Sequence, residues 1–373
     1  MSKVKIKKVA FHFPRLVQGG AEVMRLALAK ELLSRGYEVD LVVFDRFGEL
    51  ADRVPAGARI VTLDVKRTAQ SFWPLLKYLS SEERPDVLIS SLGHQNAMVI
   101  LAKMIGRSNT RVFITQHNAL SEEASQSKKL GDKIIPLLYR LFAGHADGII
   151  AVSEGVADDM ARVSKLDRSS ISVLYNPAYP SNVSEMIREP VNWAEERDVK
   201  RVIFAGRLVH QKGVDILVSA FSKVLTRMDA RLIICGDGPD APKLKRQARE
   251  LNIEDKVEFL GYQANPLKFI SRADLFVLPS RFEGFGNVLV EALACGTPIV
   301  SADCLYGPNE ILARGKFGRL VVANNDDALA DGIIASLGEE HDRAELKARA
   351  KEFTVSTVTD RYINLVSYRG KQG

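Results

Sequence analysis

The chain has 373 residues, 46% apolar and 26% charged, a composition that suits two folded domains and excludes a disordered chain. It contains no run of 18 apolar residues, and residues 1–8 lack the apolar segment of a signal peptide. We therefore expect a cytoplasmic protein that does not span a membrane. Cys235, Cys295 and Cys304 have no metal-binding spacing and are expected to be reduced thiols.

The net charge of +6 comes entirely from the first half of the chain. Residues 1–180 contain 25 Lys and Arg against 19 Asp and Glu, whereas residues 181–373 contain 27 of each. A basic first half favours an anionic partner, either a phosphorylated ligand or an anionic membrane surface. Solubility alone also explains an excess of this size. Nucleic acid is not expected, because basic and aromatic residues are not interleaved.

Strand and helix patterns alternate along the first 180 residues, after a turn at Gln18-Gly-Gly-Ala-Glu22. Apolar strands that alternate with helices predict a parallel sheet covered on both faces. The predicted strands are Lys5–Phe13, Glu38–Phe44, Arg59–Leu63, Asp86–Ser91, Arg111–Gln116, Gly148–Val152 and Ser172–Tyr175, and the predicted helices are Ala21–Ser34, 70–82, 95–105, 126–143 and 154–163.

Asn176-Pro-Ala-Tyr-Pro180 interrupts this pattern, and the next 20 polar residues predict a linker with one helical turn. The alternation then resumes, which predicts two Rossmann-like domains with a boundary near residue 180. Ligands of such sheets bind at the carboxyl ends of the strands. The second set of strands is Arg201–Ala205, Arg231–Cys235, Lys256–Leu260, Leu275–Leu278, Pro298–Ala302 and Arg319–Val322, and its helices are 214–227, 241–251, 265–271, 287–295, 326–337, 341–351 and 356–369.

The stretch Pro279-Ser-Arg-Phe-Glu-Gly-Phe-Gly-Asn-Val-Leu-Val-Glu291 joins a buried strand to a helix through a glycine-bearing loop. Glycine lets a ligand approach the backbone closely, and unpaired N–H groups at a helix start favour anions and polar oxygens. If the intervening residues were mostly helical, Glu283 and Glu291 would be roughly 12 Å apart. A glycosidase pair needs roughly 5–9.5 Å, so these glutamates suit two ends of one long ligand better.

Two cations follow the first strand of the second half, in Phe204-Ala-Gly-Arg-Leu-Val-His-Gln-Lys-Gly213. Arg207 and Lys212 at a helix start can form a pyrophosphate site without a metal, although a solvated pair beside a turn explains the segment equally well. The next loop, Gly236-Asp-Gly-Pro-Asp-Ala241, only partly resembles the dinucleotide motif, because Pro239 removes a backbone donor. A plain strand-to-helix turn is sufficient for it.

Smaller features mark the strand ends of the first half. Gly19 and Gly20 open a helix, where a loop can touch a phosphate or a sugar, although a tight turn alone would also require glycine. His117 lies at the end of a strand, which favours a ligand site, although a lone histidine is more often structural. His12 is a weaker candidate of the same kind.

The predicted helix 126–142 has an apolar side and scattered basic residues. Such a helix can lie on anionic lipid, but ordinary core packing produces the same stripe. Pro136 is expected to kink it. The apolar side contains Leu130, Ile134, Leu137, Leu138, Leu141 and Phe142, and the basic residues are Lys128, Lys129, Lys133 and Arg140.

Taken in order, these segments resemble the retaining GT-B glycosyltransferases of family 4. The resemblance covers nearly the whole chain and is strongest over residues 200–320. It rests on Val152-Ser-Glu154, Asn176-Pro177, Gly206-Arg207, Lys212-Gly213, Gly236-Asp-Gly238, Phe259-Leu-Gly261, and Pro279-Ser with Glu283, Gly284, Gly286 and Glu291 in the E-x7-E arrangement.

The resemblance implies an α/β protein of GT-B architecture, with two Rossmann-like domains whose parallel sheets face each other across a cleft. Residues 1–180 would bind the acceptor, residues 181–355 would bind the nucleotide-sugar, and residues 356–373 would form a helix that crosses back to the first domain. No metal or other cofactor is expected besides the nucleotide-sugar substrate.

The resemblance also implies roles for residues. Glu291 would bind the ribose hydroxyls, and Glu283 would hold the donor sugar together with the amides of residues 285–287. Tyr262 would lie near the base, and Gly19 and Gly20 near the phosphates and acceptor. Glu283, His117, Arg207 and Lys212 would be catalytic. The implied donor site comprises Arg207, Lys212, Gly236, Asp237, Gly238, Tyr262, Glu283, Gly284, Phe285, Gly286, Asn287 and Glu291.

Gly307-Pro-Asn-Glu-Ile-Leu312 further resembles a branch that builds bacterial surface polysaccharides and lipid-linked oligosaccharides. We expect transfer of a hexose or N-acetylhexosamine from a UDP-sugar to a glycan or polyprenyl-diphosphate-linked acceptor, with contact to an anionic membrane at its inner face. Two alternatives remain open. A non-hydrolysing nucleotide-sugar epimerase would need additional acid/base carboxylates, and a catalytically idle subunit would dock a partner enzyme through the basic half.

Overall fold

The computed structural model describes residues 4–17, 19–126, 133–191 and 199–368. The chain divides into two compact units. Unit 1 comprises residues 1–177 together with 355–373, and unit 2 comprises residues 178–354. The division follows Pro177, close to the boundary that the sequence pattern predicts near residue 180.

Unit 1 is built on a parallel sheet. Among the described residues its strands are β1 Lys8–His12, β2 Glu38–Val43, β3 Arg59–Thr62, β4 Val87–Ser91, β5 Arg111–Gln116, β6 Gly148–Ala151 and β7 Ile171–Val173. Its helices up to residue 177 are α1 Gly20–Ser34, α2 Phe72–Ser80, α3 Gly93–Gly106, α4 Leu120–Gln126, α5 Ile135–Phe142 and α6 Glu154–Ser164. The strand order is β3-β2-β1-β4-β5-β6-β7, and the strands are mostly apolar because helices cover both faces.

Unit 2 repeats this architecture with a second parallel sheet. Its described strands are β8 Lys200–Ala205, β9 Ala230–Cys235, β10 Val257–Gly261, β11 Leu275–Leu278, β12 Ile299–Asp303 and β13 Arg319–Val322. Its described helices are α7 Val183–Met186, α8 Val214–Val224, α9 Ala241–Glu250, α10 Leu267–Ile270, α11 Asn287–Cys295, α12 Pro308–Ile311, α13 Asp326–Leu337 and α14 Arg343–Ala350. The strand order is β10-β9-β8-β11-β12-β13.

Only part of the predicted helix 126–143 can be compared with the structure, because residues 127–132, which include Lys128, Lys129 and Leu130, lie outside the described residues. Within the described residues α5 begins at Ile135, after a turn at Ile134. The kink expected at Pro136 stays a prediction, and Pro136 stands close to this turn. It lies in the first turn of α5, where its missing N–H would have no helical partner in any case. The short helix α12 escapes the sequence pattern, because four residues do not establish a helical period.

The apolar side predicted for this region is only partly buried. Ile135 and Tyr139 pack into unit 1, whereas Ile134, Leu137 and Leu141 are 46%, 53% and 55% exposed. Core packing therefore does not account for the whole apolar side of α5. None of the helices within the described residues is long and apolar enough to cross a bilayer.

The last helix, α15 Val355–Ser367, belongs to unit 1. Its Val358 and Val366 are buried in the same core as Leu28 and Leu32 of α1. The carbonyl of Ser367 also accepts a hydrogen bond of 2.9 Å from the Val4 backbone. The chain thus returns to its first unit through apolar burial.

Replacing Val358 by Ala should destabilise unit 1 by about 2 kcal/mol, because it removes two buried methyl groups and leaves a cavity. For a unit of this size the melting temperature should fall by about 4–8 °C. Asn364→Ala, at an exposed position of the same helix, is the matched control. Equal melting temperatures for the two variants would show that α15 does not contribute to this core.

Candidate active site

The strand order of unit 2 defines where a ligand can bind. β8 has β9 on one side and β11 on the other, so the loops that follow β8 and β11 turn to opposite faces of the sheet. Such a reversal leaves a crevice at the carboxyl ends of the two strands. The loops at this crevice are residues 206–213 and 279–286, which contain the segments that the sequence analysis selected.

Lys212 and Glu283 connect these two loops through an ion pair. The Lys212 Nζ lies 2.6 Å from the Glu283 Oε1, and the Ser280 hydroxyl donates to the same oxygen at 2.6 Å. Glu283 is only 5% exposed. A carboxylate at this depth requires such partners, and removing one member of the pair would leave a buried charge unpaired.

Arg281 strengthens the connection between the loops. Its guanidinium donates two hydrogen bonds to the Asp215 carboxylate, at 2.8 and 2.7 Å, and a third to the His210 carbonyl at 2.8 Å. The Arg281 backbone N–H donates to the Gln211 carbonyl at 2.8 Å, and the Gln211 side chain donates to the Phe282 carbonyl at 3.1 Å. Arg281 and Asp215 are not among the predicted site residues, and Ser280 is named only as part of the family motif.

Close backbone approach explains the glycines of these loops. A Cβ at Gly213, where φ is +63°, would lie 2.2 Å from the Pro279 carbonyl oxygen. At Gly236 a Cβ would lie 1.8 Å from the Gly206 oxygen, and at Gly238 it would lie 2.3 Å from the Leu208 oxygen. Gly286 begins α11 with φ of +99°. These glycines hold the strand-end loops together, which is the turn role that the sequence analysis preferred for Gly236-Asp-Gly238.

Glu291 lies in the second turn of α11. Glu291 is half-buried, and its partial removal from water raises its pKa to about 7. The nearby Lys212 charge acts in the opposite direction, so the lysine lies within reach of both glutamates. The helix begins at Asn287, as the sequence pattern predicts, so four of the seven residues between Glu283 and Glu291 are helical.

The remaining predicted residues of unit 2 lie around this crevice or behind it. Arg207 is exposed in the loop after β8, Asp237 is exposed after β9, and Tyr262 is 63% exposed after β10. Gly284 is buried beside Glu283 and Asn287 opens α11. Phe285 differs: its ring is 3% exposed and packs edge-on against Phe353, with ring centroids 5.7 Å apart. Only the backbone of Phe285 is suited to contact a ligand.

Unit 1 has its own reversal, between β1 and β4. Gly19 and Gly20 follow β1 and open α1, and a Cβ on Gly19 would lie 2.3 Å from the Glu22 Oε2. This oxygen is the end of a flexible side chain that can move aside, so the contact alone does not require glycine at position 19.

His117 follows β5, and its Nε2 accepts a hydrogen bond of 3.0 Å from the Arg25 guanidinium. Burial, reinforced by the Arg25 charge, lowers the His117 pKa to about 3. His12 is fully buried, and its Nδ1 donates to the Val42 carbonyl at 2.9 Å. His12 is thus part of the core packing. Arg25 is a further residue that sequence reasoning missed.

Two family descriptions match successive parts of the chain. Residues 18–181 match "Glycosyltransferase Family 4", and residues 185–353 match "Glycosyl transferases group 1". Together the two matches include both units apart from the termini and a short junction.

The chain is similar to characterised proteins over nearly its whole length. It is 27% identical over 361 residues to the N-acetylgalactosamine-N,N'-diacetylbacillosaminyl-diphospho-undecaprenol 4-alpha-N-acetylgalactosaminyltransferase of Campylobacter jejuni, a match that covers 93% of this chain and 94% of the relative. It is 26% identical over 371 residues to the lipopolysaccharide core biosynthesis glycosyltransferase LpsE of Rhizobium meliloti, covering 97% and 99%. Among solved structures, HepE of Anabaena in complex with UDP and glucose superposes with a TM-score of 0.75 and 22% identity, covering 97% and 99%.

The raised pKa of Glu291 predicts a pH dependence of stability. Between its ordinary value of 4.5 and about 7, the folded chain keeps a proton on Glu291 that the unfolded chain has lost. This contribution to stability should therefore decrease as the pH rises through that window. Glu291→Gln should not show this decrease in stability. The difference between the melting temperatures of the variant and the wild type should therefore grow in favour of the variant from pH 5 to pH 8.

Glu254→Gln is the control, since it replaces an exposed glutamate of the same unit. If the Gln variants at 291 and 254 followed the wild type in parallel across this pH range, the raised pKa of Glu291 would be refuted.

Proposed function

Because the chain belongs to the GT-B glycosyltransferases of family 4, we propose that it transfers a hexose or N-acetylhexosamine from a UDP-sugar to a glycan or lipid-linked acceptor. We further propose that the transfer retains the anomeric configuration and requires no metal. The product would be a bacterial surface polysaccharide or lipid-linked oligosaccharide. The observation that carries the donor assignment is the Lys212–Glu283 pair beside Glu291 at the crevice of unit 2.

The charges at this crevice suit a nucleoside diphosphate. Lys212 and the exposed Arg207 come from the same loop after β8 and supply two positive charges. A departing diphosphate gains negative charge in the transition state, and fixed cations stabilise it. Glu291, when ionised, can accept hydrogen bonds from a pair of ribose hydroxyls. HepE, solved with UDP and glucose, supports UDP as the nucleotide.

Glu283 is assigned to the transferred sugar. Its Oε1 already accepts hydrogen bonds from Lys212 and Ser280, which fixes the carboxyl group, and the other oxygen can accept from sugar hydroxyls. The amides at the start of α11 lie next to it in sequence and favour a polar oxygen. We place the sugar between this carboxylate and the helix start.

The mechanism follows from these roles. The bond between the anomeric carbon and the UDP oxygen breaks while the acceptor oxygen bonds to the same face of that carbon. The acceptor hydroxyl gives its proton to the departing phosphate oxygen, and Arg207 and Lys212 offset the charge that forms on the diphosphate. No enzyme nucleophile is needed, which agrees with the assignment of Glu283 to sugar binding.

The lipid-linked acceptor is supported by the relatives. The Campylobacter jejuni protein is named for a diphospho-undecaprenol acceptor, and the Rhizobium meliloti protein for lipopolysaccharide core biosynthesis. We assign acceptor binding to unit 1, which contains Gly19, Gly20 and His117. An acceptor of this kind is held at a membrane, so we also propose a peripheral membrane contact at the inner face.

α5 is the surface of unit 1 best suited to that contact. Ile134, Leu137 and Leu141 recur at helical spacing on its exposed side, next to the exposed Lys133 and Arg140. Exposed apolar residues beside cations favour the boundary between head groups and acyl chains of an anionic membrane.

Removing Arg207 should weaken nucleotide binding. A ligand at 100 times its dissociation constant stabilises a protein by about 2.7 kcal/mol, so a panel of UDP, GDP, ADP and their sugars can be compared by thermal shift. UDP and one UDP-sugar should raise the melting temperature of the wild type. Arg207→Met should reduce this shift, whereas Arg246→Met, an exposed arginine of the same unit, should not.

Glu283→Gln should lower kcat by about 100- to 1,000-fold, as expected when a transition-state contact is lost, while UDP binding persists. Transfer is measured with the UDP-sugar from the panel and a polyprenyl-diphosphate-linked glycan.

NMR of the product gives the anomeric configuration, and dialysis against a chelator tests metal independence. An inverted product would refute retention, and loss of activity with the chelator would refute metal independence. Full activity of Glu283→Gln would refute the role of Glu283. Epimerisation of the UDP-sugar without acceptor would favour the epimerase alternative.

The double variant Leu137→Glu, Leu141→Glu should lose co-sedimentation with vesicles of phosphatidylglycerol and phosphatidylcholine, because two carboxylates replace exposed apolar groups. The wild type should bind these vesicles and not pure phosphatidylcholine. Val322→Glu, at a position 68% exposed in unit 2, is the control. Binding of the double variant at wild-type level would exclude α5 as the membrane contact.

A further inference from the structure

Arg25 is a buried arginine close to a proposed functional residue. It lies on α1, is 3% exposed, and its guanidinium carbon is 5.5 Å from the centre of the Phe13 ring. Its Nη1 lies 3.7 Å from the Glu22 carboxylate, and its Nη2 lies 3.0 Å from the His117 Nε2. An arginine buried this deeply is costly and requires a specific arrangement of partners.

The contact with Arg25 determines which nitrogen of His117 carries the proton. A guanidinium can only donate hydrogen bonds, so the Nε2 of His117 must accept and cannot carry a hydrogen. The proton of the neutral ring is therefore on Nδ1. A flipped ring would place a carbon against the guanidinium and lose this hydrogen bond.

The same contact opposes a second proton on the ring. Protonation of Nε2 would place two N–H groups and two positive charges against each other in a buried site. Within the described residues, Glu22 on α1, His12 on β1 and Tyr362 on α15 interact electrostatically with Arg25, and Glu123 on α4 accepts a hydrogen bond from Asn118 beside His117. Burial and the Arg25 charge together leave the His117 pKa at about 3, far below the working range of a base.

The Nδ1 of His117 has no hydrogen-bond partner among the described residues and is buried. A buried N–H group without a partner costs free energy, so a ligand oxygen that accepts this hydrogen bond would be favoured. The hydroxyl or carbonyl oxygen of a sugar fits this requirement.

We propose that Arg25 is a positioning residue that holds His117 as a neutral ring protonated on Nδ1, so that His117 donates a hydrogen bond to a sugar oxygen and does not act as a base. The catalytic role expected for His117 is thus limited to donating a hydrogen bond. The tautomer assignment stands on the contact with Arg25, whereas the sugar as ligand rests on the proposed function. The acceptor proton then leaves through the diphosphate, as in the mechanism above.

The test uses the full chain labelled with ¹⁵N-histidine. Long-range ¹H–¹⁵N spectra distinguish the two neutral tautomers, and His117→Gln identifies the signal among the six histidines. In the wild type, His117 should be protonated on Nδ1 and should not titrate between pH 5 and pH 8. A ring protonated on Nε2, or a titration near pH 6.5, would overturn the proposal.

Variants then separate positioning from packing. Arg25→Met fills the space without a donor or charge, so the His117 midpoint should rise above about 3 while burial still keeps it below its ordinary value, and the Nδ1 preference should be lost. Arg25→Lys keeps a charged donor and should keep the wild-type tautomer. An unchanged His117 signal in a folded Arg25→Met would refute the proposal; if that variant does not fold, the wild-type and Arg25→Lys spectra still decide.

Kinetics provide the second readout. Arg25→Met should lower kcat, because the neutral His117 ring could then carry its proton on Nε2 and would lose the Nδ1 donor to the sugar oxygen. Arg25→Lys should not show this decrease. Absence of transfer with every UDP-sugar would refute the proposed donor class while the spectra continue to test the role of Arg25, so the two failures are distinguishable.

Discussion

The buried ion pair between Lys212 and Glu283 is the interaction on which the candidate active site depends. The two loops leave the sheet in opposite directions, so sequence-local contacts do not hold them together. The Glu283 carboxylate is 5% exposed and needs partners for its charge, and the Lys212 ammonium and the Ser280 hydroxyl provide them. The Lys212–Glu283 pair therefore holds the two loops together. The bidentate contact of Arg281 with Asp215 then fixes the backbone on either side.

This arrangement explains why glycine is frequent near the site. Ligand contact alone would require it at one or two positions, but Gly213, Gly236 and Gly238 each lie where a Cβ would meet a neighbouring carbonyl oxygen. The strand-end loops are held by backbone hydrogen bonds, such as Gly206 N–H to the Cys235 carbonyl and Leu208 N–H to the Asp237 carbonyl, both at 2.9 Å. These glycines thus allow the loops to pack closely, and the packed loops hold the cations and carboxylates of the site in place.

Sequence patterns predict the strands, most helices and the two parallel sheets, because apolar periodicity is a local property that burial on both faces imposes. They also select Arg207, Lys212, Glu283 and Glu291, which occupy strand-end loops or a helix start. They do not predict the contacts of Arg25 with His117 or of Asp215 with Arg281, since these pairs are 92 and 66 residues apart. Around Pro136 the sequence pattern does not separate a kink from a helix start, because proline is compatible with both.

The protonation states of the candidate residues are set by their surroundings before any ligand binds, and this constrains the chemistry. His117 has a pKa of about 3 and accepts a hydrogen bond from an arginine, so it cannot take the acceptor proton near neutral pH. The Glu283 Oε1 accepts hydrogen bonds from Lys212 and Ser280, and the proposal assigns this carboxylate to the sugar. In the proposed reaction the departing diphosphate takes the acceptor proton, and His117 is not required as a base. The same fixed charges that stabilise the diphosphate would then place it where the acceptor proton is released, which links nucleotide recognition directly to a retaining transfer.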